Sequence, residues 1–385
     1  MNIYLAFLQS KINHPIPAYS FWEYYIKNGI TEGGYEWQEG EVDWAEGLMY
    51  DRDQAKLARW KTETWEKTIK DLRIKHAKKP ITFFLCYLSP HQVEEQAIVA
   101  IQKMGIPCVN FYCDNVRNFT KPPKQFAIFS LNWVPEYKAI GMYSKANYNF
   151  IHLPMPMWVA PEHRQIATRE LGDVSFVGSR ELQRWLLFEE VAKKGLKIKI
   201  YGSGWKNEGT DFGEAFMKTG LNQTLANQLE SLKRFGVIGY YRKIKQRNLS
   251  INISTLLEKS LQGKPSFEEY VKITKESAIT LGINRYPSYL YPLNNPNTYS
   301  RLRDIEAPML GACYLTEWTE GLDEMYQIGE EIEVYRNIDE LLYMVQSLKM
   351  DYKKRNLLRK RGQKKALEKL SIKNSLDKIL SYYES

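Results

Sequence analysis

The sequence predicts an α/β protein made of two units, each a doubly wound parallel sheet with helices on both faces. Three observations favour this fold class. The chain has 385 residues, too many for one ordinary hydrophobic core. Short apolar runs of strand length alternate with longer amphipathic runs in both halves. The proline-rich stretch LPMPMWVAP at residues 153–161 is typical of a linker between the two halves.

The first half, residues 1–160, alternates strands and helices. Apolar runs predict strands at 2–9, 81–88, 107–112, 126–131 and 148–153. Periodic runs predict helices at 19–27, 54–75, 91–104 and about 135–142. Residues 32–50 are acidic and aromatic with little periodicity, and no strand or helix is predicted there.

The second half, residues 161–371, repeats the alternation, so each half is expected to be Rossmann-like. Strands are predicted at 174–177, 196–201, 277–283, 312–316 and 331–335. Helices are predicted at 181–194, 267–274, 338–349, about 351–370 and 372–384. Residues 207–262 break the rhythm and predict a helical insertion.

The stretch SRLRDIEAPMLGACYLTE, residues 300–317, predicts a helix, a glycine turn and a buried strand. Gly311 is suited to the left-handed position just past a helix end, because it has no Cβ. Arg303 and Glu306 lie near the start of this helix. A guanidinium can grip a phosphate through two hydrogen bonds, and a carboxylate can accept two from a vicinal diol. The alternative is an amphipathic surface helix with solvated charges.

Composition narrows the class of protein and its partners. The net charge of +9 and the pI of about 9.0 favour acidic partners, namely nucleotides, anionic glycans, a phospholipid surface or nucleic acid. Charge alone does not choose among them. The four cysteines form no CxxC pair, which predicts buried free thiols in a reducing cytoplasm. The apolar start is too short for a signal peptide, and no apolar run reaches about 18 residues. A cytoplasmic protein, peripheral to the membrane at most, is expected.

The carboxyl ends of the predicted strands carry the residues suited to chemistry, since ligands of open α/β sheets bind there. In the second half these ends are GSR at 178–180, GSGW at 202–205 and Asn284-Arg285. Glycines let backbone N–H groups approach a phosphate, and Arg180 and Arg303 would neutralise a diphosphate. The first strand is followed by no GxGxxG, and GxxxxGK[ST] is absent from the sequence, which disfavours a nicotinamide enzyme and a P-loop kinase.

Together these motifs resemble those of nucleotide-sugar glycosyltransferases of the two-Rossmann-domain (GT-B) type. Glu306-Ala-Pro-Met-Leu-Gly311 resembles their glutamate–glycine element, and Arg303 three residues earlier is similar to spore-maturation (CgeB-like) glycosyltransferases. The resemblance covers about 173–370, through the motifs DVSFVGSR at 173–180, IYGSGW at 200–205, FEEY at 267–270, SAITLGIN at 277–284, IGEEIEVY at 328–335 and DEL at 339–341.

The resemblance implies two Rossmann-like domains facing across a cleft. The donor domain would be 161–371 and the acceptor domain 1–160, with the last helix, 372–385, crossing back onto the latter. Glu306 would bind the ribose hydroxyls of a nucleotide-diphosphate sugar, and Arg180 and Arg303 its diphosphate. The donor-binding set is Gly178, Ser179, Arg180, Gly202, Ser203, Trp205, Asn284, Arg303 and Glu306. Related enzymes often carry a second glutamate seven or eight residues before the ribose-binding one, where this chain has Tyr299 and Thr298.

The acceptor site is expected in the first half, with two candidate catalytic residues. His14, in the loop after the first strand, could be a general base, or simply a solvated loop histidine. Asp114, at the end of the third strand, matches an aspartate of the family's first domain; the alternative is a turn cap on the next segment. No His/Asp/Glu cluster has metal spacing, so no metal and no cofactor is expected besides the donor substrate.

The segment KRFGVIGYYRKIKQR at 233–247 is basic and aromatic and contains no acid. One interpretation is peripheral contact with a membrane or an anionic acceptor; the other is a helix with a solvated basic face. The function expected is sugar transfer from a nucleotide-sugar donor to a glycan, lipid-linked glycan or protein acceptor, in cell-surface glycan assembly. The alternative is a catalytically inactive GT-B-like scaffold that binds nucleotide or glycan. Nucleic-acid binding rests on charge alone and is not expected.

Overall fold

The structure is a computed structural model that describes residues 1–10, 18–50, 53–205, 221–247, 253–286 and 289–384. Its strands within these ranges are β1 (Asn2–Ala6), β2 (Glu36–Glu39), β3 (Phe83–Cys86), β4 (Cys108–Phe111), β5 (Leu131–Val134), β6 (Phe150–His152), β7 (Leu171–Val177), β8 (Lys199–Tyr201), β9 (Leu261–Gly263), β10 (Ser277–Gly282), β11 (Tyr314–Glu317) and β12 (Glu333–Tyr335).

The helices surround the strands in both halves of the chain. Those described are α1 (Ala18–Glu32), α2 (Gln54–Lys78), α3 (Glu95–Gln102), α4 (Asn115–Asn118), α5 (Tyr137–Ala146), α6 (Leu182–Lys193), α7 (Leu221–Arg247), α8 (Thr255–Glu258), α9 (Phe267–Glu276), α10 (Arg303–Met309), α11 (Leu322–Met325), α12 (Ile338–Met350), α13 (Tyr352–Lys369) and α14 (Ile372–Glu384). In the described ranges, no helix combines the length and apolarity needed to cross a bilayer.

The chain divides into two compact units. Unit 1 comprises Met1–Ala160 together with Ala366–Ser385, and unit 2 comprises Pro161–Lys365. Each unit contains a parallel sheet of six described strands, and each has its own apolar core. The α/β prediction of two Rossmann-like sheets is therefore confirmed.

Unit 1 has the strand order β2-β1-β3-β4-β5-β6. The central strands β1, β3 and β4 are buried along their whole length, as parallel strands covered on both faces should be. Helix α14 packs on α1, where the missing Cβ of Gly29 leaves room for Ile372 and the hydroxyl of Tyr35 bonds the carboxylate of Asp377.

Unit 2 has the strand order β12-β11-β10-β7-β8-β9. Its first strand, β7, lies at the centre beside β10, with Ser175 paired to Thr280. The chain winds outward from β7 to β9 and then returns through β10 to β12 on the other side. This order makes the boundary between β7 and β10 a topological switch point.

Some predicted elements differ from the structure. The apolar run 126–131 was expected to be a strand, but Lys124–Ile128 is a 3₁₀ helix and the strand is β5. Phe126 and Phe129 are buried in the core, and this burial explains their strand-like pattern. Two short edge strands, β2 and β9, were not predicted; β2 lies in the aperiodic stretch 32–50, and β9 overlaps the end of the predicted helical insertion 207–262. Within that insertion α7 and α8 are helical, whereas residues 206–220 and 248–252 lie outside the described residues.

Candidate functional site

The carboxyl ends of β7 and β8 in unit 2 are joined through their backbones. The N–H of Gly178 donates to the carbonyl of Tyr201 at 2.9 Å. Gly202 has φ 138°, and a Cβ there would overlap the carbonyl oxygen of Gly178. The indole N–H of Trp205, which is 1% exposed, donates to that same oxygen at 2.7 Å. Gly202 is therefore required for the close contact between the two loops, and the Trp205 hydrogen bond stabilises that contact.

These two loops, residues 178–180 and 202–204, are named the double loop here, and Arg180 belongs to the first of them. Its N–H donates to the carbonyl of Ser203 at 3.0 Å, and its guanidinium donates to the carbonyl of Gly204 at 3.3 Å. The guanidinium also lies over the ring of Trp185, 5.6 Å from the centroid. Ser179 beside it is exposed. The structure therefore brings together six of the predicted donor-binding residues, which are Gly178, Ser179, Arg180, Gly202, Ser203 and Trp205.

A second arginine, Arg184, supports the same loop from inside. Arg184 is 7% exposed, and its guanidinium donates to the carbonyl of Ser179 at 2.9 Å. Its Nε lies 3.6 Å from the carboxylate of Glu181. Burial lowers the pKa of Arg184 to about 10; Glu181 opposes this, and the positive charges of Arg301 and Arg303 add to it. Arg301 and Arg303 are therefore close enough to Arg184 to disfavour its charged form.

Arg301 connects this cluster to the ends of β10 and β11. Its guanidinium lies 3.7 Å from Glu181, so Arg184 and Arg301 share one carboxylate. It also donates to the carbonyl of Arg285 at 2.8 Å. The Arg285 side chain is paired with Glu317, with its Nε 3.0 and 3.1 Å from the two carboxylate oxygens. Although burial opposes it, this ion pair raises the pKa of Arg285.

Arg303 and Glu306 lie together on the first turn of α10. The Nε of Arg303 is 3.5 Å from a carboxylate oxygen of Glu306. The Arg303 guanidinium also lies over the ring of Tyr270, 4.5 Å from the centroid. Its side chain is 28% exposed and that of Glu306 is 12% exposed, so a small ligand can reach both groups. Their proximity is the one that the sequence spacing predicted.

The position of this turn is fixed by Asp304, which is fully buried. Burial raises the pKa of its carboxyl group, while the hydrogen bonds that it accepts lower it. The donors to its two oxygens are Tyr314 Oη (2.8 Å), Thr316 Oγ1 (2.9 Å), Ser300 Oγ (2.9 Å), the Arg301 N–H (3.0 Å) and Asn284 Nδ2 (3.4 Å). Asp304 therefore ties the loop before α10 to the ends of β10 and β11.

The other end of α10 closes as the sequence predicted. Gly311 has φ 80°, and its N–H donates to Pro308 at 2.8 Å. The next N–H, of Ala312, donates to Ala307 at 3.1 Å, which completes a Schellman motif. The short helix is thus anchored at both ends, and Glu306 is held between them.

Two residues of the network under the site have roles that sequence reasoning did not foresee. Asn284, predicted to bind donor, is 1% exposed, and its amide donates to Thr316 Oγ1 at 3.2 Å and to the Glu317 carbonyl at 2.8 Å. Gly282 lacks a Cβ where one would overlap the hydroxyls of Tyr314 and Thr316. Asn284 therefore faces the network; a direct contact of its side chain with donor stays a prediction.

Six residues of this network were not among the predicted donor-binding residues, and all of them are charged. They are Glu181, Arg184, Arg285, Arg301, Asp304 and Glu317. Their positions could have identified them. Each lies close to the carboxyl end of a strand, or in the helix start that faces such an end.

In unit 1, Asp114 occupies the carboxyl end of β4 in a left-handed conformation, with φ 62°. This conformation is costly for a residue other than glycine and often marks a functional position. Its carboxylate lies 3.8 Å from the guanidinium of Arg117. Asp114 is also the N-cap residue of α4, the position that the turn-cap alternative requires, so the catalytic and the turn-cap interpretations both stay predictions.

The backbone after Asp114 is held by a buried acid, Glu136, at the end of β5. One oxygen of Glu136 accepts the N–H of Asn115 at 2.6 Å and the other its side-chain amide at 2.7 Å. The hydroxyl of Tyr143 donates to the Asn115 side-chain oxygen at 2.9 Å. Burial raises the pKa of Glu136 to about 8 despite the bonds from Asn115, and the charge of Asp114 adds to the increase.

The remaining site predictions concern His14, metals and thiols. His14 lies outside the described residues. Among the residues that the structure describes, no group of three or more His, Cys, Asp or Glu side chains could hold a metal ion. Cys86, Cys108, Cys113 and Cys313 are buried free thiols, as predicted.

Comparison with known proteins gives the family. Residues 180–381, more than half of the chain, match the sequence model of the glycosyl transferase-like family. The chain therefore belongs to the glycosyl transferase-like family. No curated protein matches it.

Solved structures give the fold. Similar ones include HepE from Anabaena in complex with UDP, with TM-score 0.56, 12% identity and 99% of each chain covered. Sucrose-phosphate synthase from Thermosynechococcus elongatus has TM-score 0.51 and 10% identity, covering 100% of this chain and 98% of that one. AviGT4, a glycosyltransferase involved in avilamycin A biosynthesis, has TM-score 0.51 and 11% identity, covering 99% and 95%. The GT-B fold is thereby confirmed; the spore-maturation subfamily stays a prediction.

Proposed function

We propose that this chain transfers a sugar from a nucleotide-diphosphate sugar to a hydroxyl group of a glycan, lipid-linked glycan or protein. The observation that carries the proposal is the concentration of arginines at the switch point of unit 2. Arg184 and Arg301 share one carboxylate, and Arg180 and Arg303 lie on the segments that they support. Such an excess of positive charge suits a diphosphate.

Glu306 is proposed to bind the ribose. Its carboxylate can accept hydrogen bonds from both hydroxyls of a vicinal diol, and Arg303 beside it can reach the neighbouring phosphate. The backbone of the double loop, Gly178–Arg180 and Gly202–Gly204, would supply further N–H donors. Trp205 and Asn284 would act from beneath, by holding these segments in place.

The proposed reaction breaks the bond between the anomeric carbon and the diphosphate oxygen. The acceptor hydroxyl oxygen forms the new bond, and a base takes its proton. Arg180 and Arg303 would stabilise the charge that develops on the departing diphosphate. Asp114 and His14 are the proposed bases, and Asp114 would also be suited to bind the acceptor hydroxyl. With arginines in this role, we propose a transfer that needs no metal.

Two considerations direct the choice of ligands. HepE, whose fold this chain shares, is described in complexes with UDP and with UDP and glucose, so uridine nucleotides are the first to test. The motifs that resemble spore-maturation glycosyltransferases support membership of that subfamily, and with it a place in cell-surface glycan assembly in the cytoplasm.

A second candidate function is a scaffold that binds nucleotide or glycan without turnover. One observation favours it: at the positions where related enzymes often have a second glutamate, this chain has Thr298 and Tyr299. Thr298 bonds Thr319 at 3.1 Å, and Tyr299 is 4% exposed with the guanidinium of Arg301 over its ring. These side chains contribute to packing and supply no carboxylate.

A thermal-shift screen tests the donor site, using UDP, GDP, dTDP, CMP and their common sugar conjugates. A nucleotide at 100 times its dissociation constant stabilises the fold by about 2.7 kcal/mol. We expect one base to raise the melting temperature of the wild type and of Glu330→Ala, a control at an exposed ion pair, but not of Glu306→Ala. If no nucleotide or nucleotide sugar changes the melting temperature of the wild type, the donor site is contradicted. Stabilisation without release of the sugar, with or without acceptor mixtures, would favour the scaffold.

A further inference from the structure

An exposed apolar face on α7 belongs to none of the sites above. Gly236 has φ 66° and interrupts the helix, so residues 237–247 form a separate helical stretch. In this stretch the side chains of Val237, Ile238 and Tyr241 are 75%, 68% and 64% exposed, and Ile244 is also exposed. Their spacing of i, i+1, i+4 and i+7 places them on one side of the helix.

The opposite side of the stretch is packed against the loop at 289–291. Gly239 is buried there, with the carbonyl of Tyr289 3.3 Å from where its Cβ would be. The guanidinium of Arg242 donates to the carbonyl of Leu290 at 2.6 Å, and the ring of Phe235 packs edge-on against that of Tyr289. The stretch is therefore held in a fixed orientation in unit 2, with its apolar side outward.

The loop adds to the exposed apolar surface. Leu290 and Tyr291 are exposed large side chains in the segment that Arg242 holds against the helix. We name the resulting set the α7 face: Val237, Ile238, Tyr241, Ile244, Leu290 and Tyr291. A surface of this kind on a soluble unit usually marks an interaction site.

The charge of the stretch indicates the partner. Residues 237–247 contain Arg242, Lys243, Lys245 and Arg247 and no acidic residue. Lys245 is exposed and, at i+4 from Tyr241, lies within the apolar side. Apolar side chains flanked by cations, with tyrosines among them, suit a bilayer surface, where the apolar groups enter the headgroup region and the cations meet anionic lipids.

A second copy of the chain fits this surface less well. A two-fold contact through the α7 face would bring the same cations of both copies together, and like charges at an interface are unfavourable. We therefore propose that the α7 face docks unit 2 on an anionic membrane surface. Membrane docking of the α7 face does not depend on sugar transfer, and the two are tested by separate experiments.

Co-sedimentation with vesicles tests the proposal on the full chain. The probes are vesicles of phosphatidylcholine alone and of phosphatidylcholine with phosphatidylglycerol, at low and high salt. We expect the wild type to bind the anionic vesicles roughly tenfold more tightly or better, and to lose much of this affinity at high salt. Ile238→Ser with Tyr241→Ser should lose roughly tenfold or more, and Lys245→Glu at least about fivefold.

The control is Tyr343→Ser, which removes another exposed aromatic side chain of unit 2 and should bind like the wild type. All variants change exposed residues, and unchanged melting temperatures would show that they fold. The proposal is overturned if the wild type binds neither vesicle, if it binds both equally, or if the control loses as much as the double variant. It is also overturned if the wild type is a dimer that the double variant abolishes, since a second copy would then cover the face.

Discussion

Both units have a buried acid at the carboxyl edge of the sheet, and the two acids differ in chemistry. In each, a buried acid holds the backbone of a segment that carries a proposed functional residue. Glu136 holds Asn115, next to Asp114, in unit 1; Asp304 holds the loop before Arg303 in unit 2. Neither buried acid is exposed to a ligand, so each supports a functional segment without itself contacting substrate.

The two acids differ in their hydrogen-bond donors. Glu136 receives both of its bonds from one residue, Asn115, whereas Asp304 receives bonds from three hydroxyls, a backbone N–H and an amide. Donors stabilise the charged form of a carboxyl group. Glu136, with a pKa of about 8, is therefore mostly protonated at neutral pH. A neutral buried acid supports the proposed acceptor side, and a buried acid that accepts five hydrogen bonds from the protein supports the proposed donor side.

The largest expected effect comes from removing the acid of unit 2. Asp304→Ala would leave the buried hydroxyls of Tyr314 and Thr316 without their acceptor, at a cost of about 3 kcal/mol or more. Chemical denaturation measures this, with Asp339→Ala at an exposed ion pair as control. A loss below about 1 kcal/mol would show that the network relaxes and that Asp304 is not the anchor of α10.

The next effect concerns the double loop of unit 2. Gly202→Ala would place a Cβ against the backbone of Gly178 at a φ that disfavours side chains, and we expect a loss of about 2 kcal/mol. Gly172→Ala is the matched control, because no atom lies within 4 Å of its added Cβ. Equal unfolding free energies for the two variants would contradict the close contact between the loops.

The pH dependence of stability tests the protonation of Glu136. The folded-state pKa of Glu136, about 8, lies above its ordinary value of 4.5, so the folded chain holds this proton more tightly than the unfolded chain. The contribution is complete below about pH 4.5 and is lost as the pH rises to about 8, with a slope of up to roughly 1.4 kcal/mol per pH unit.

Glu136→Gln should remove this part of the slope, since an amide does not titrate. It should also lower stability at acidic pH, because one of the two acceptor atoms facing Asn115 is lost. Urea denaturation of both proteins between pH 5 and 8 makes the measurement. Parallel curves across that range would contradict a neutral Glu136.

The smallest expected effect is a gain in stability. Asp114→Gly should stabilise unit 1 by about 1 kcal/mol, because glycine adopts the left-handed conformation without a Cβ penalty. Asn147→Gly, at the exposed left-handed end of α5, should gain less, since asparagine tolerates this conformation better. If Asp114→Gly is destabilising, the carboxylate contributes to folding, and the strain gives no support to a functional role.

Much of the fold could be predicted from the sequence. Strands such as β3 and β10 lie within the predicted runs 81–88 and 277–283, because central parallel strands are continuously apolar. The edge strand β2 could not be found this way, since its side chains are half-buried or exposed. Gly311 was identified because its role depends on local backbone geometry.

The site was only partly predictable. Arg303 and Glu306 are three residues apart on one helix, so their proximity follows from the sequence. The sharing of Glu181 by Arg184 and Arg301 does not, because more than a hundred residues separate Arg301 from the other two and only the sheet order brings them together. Asp304 lies in the same helix start as Arg303, yet burial makes it the centre of a network. A single sequence shows the charge of such a residue but not its burial.

The central claim is that Glu306 binds the ribose of the donor, and one cycle of binding measurements tests it. Calorimetry would compare the nucleoside diphosphate that stabilises the protein with its 2′,3′-dideoxy analogue, on the wild type and Glu306→Ala. Removing either partner should cost about 1.5–3 kcal/mol, as for hydrogen bonds to a charged group. Removing both should cost little more than removing one, since the same interaction is lost. If the two losses simply add, Glu306 does not contact the ribose hydroxyls and the donor site as proposed is contradicted.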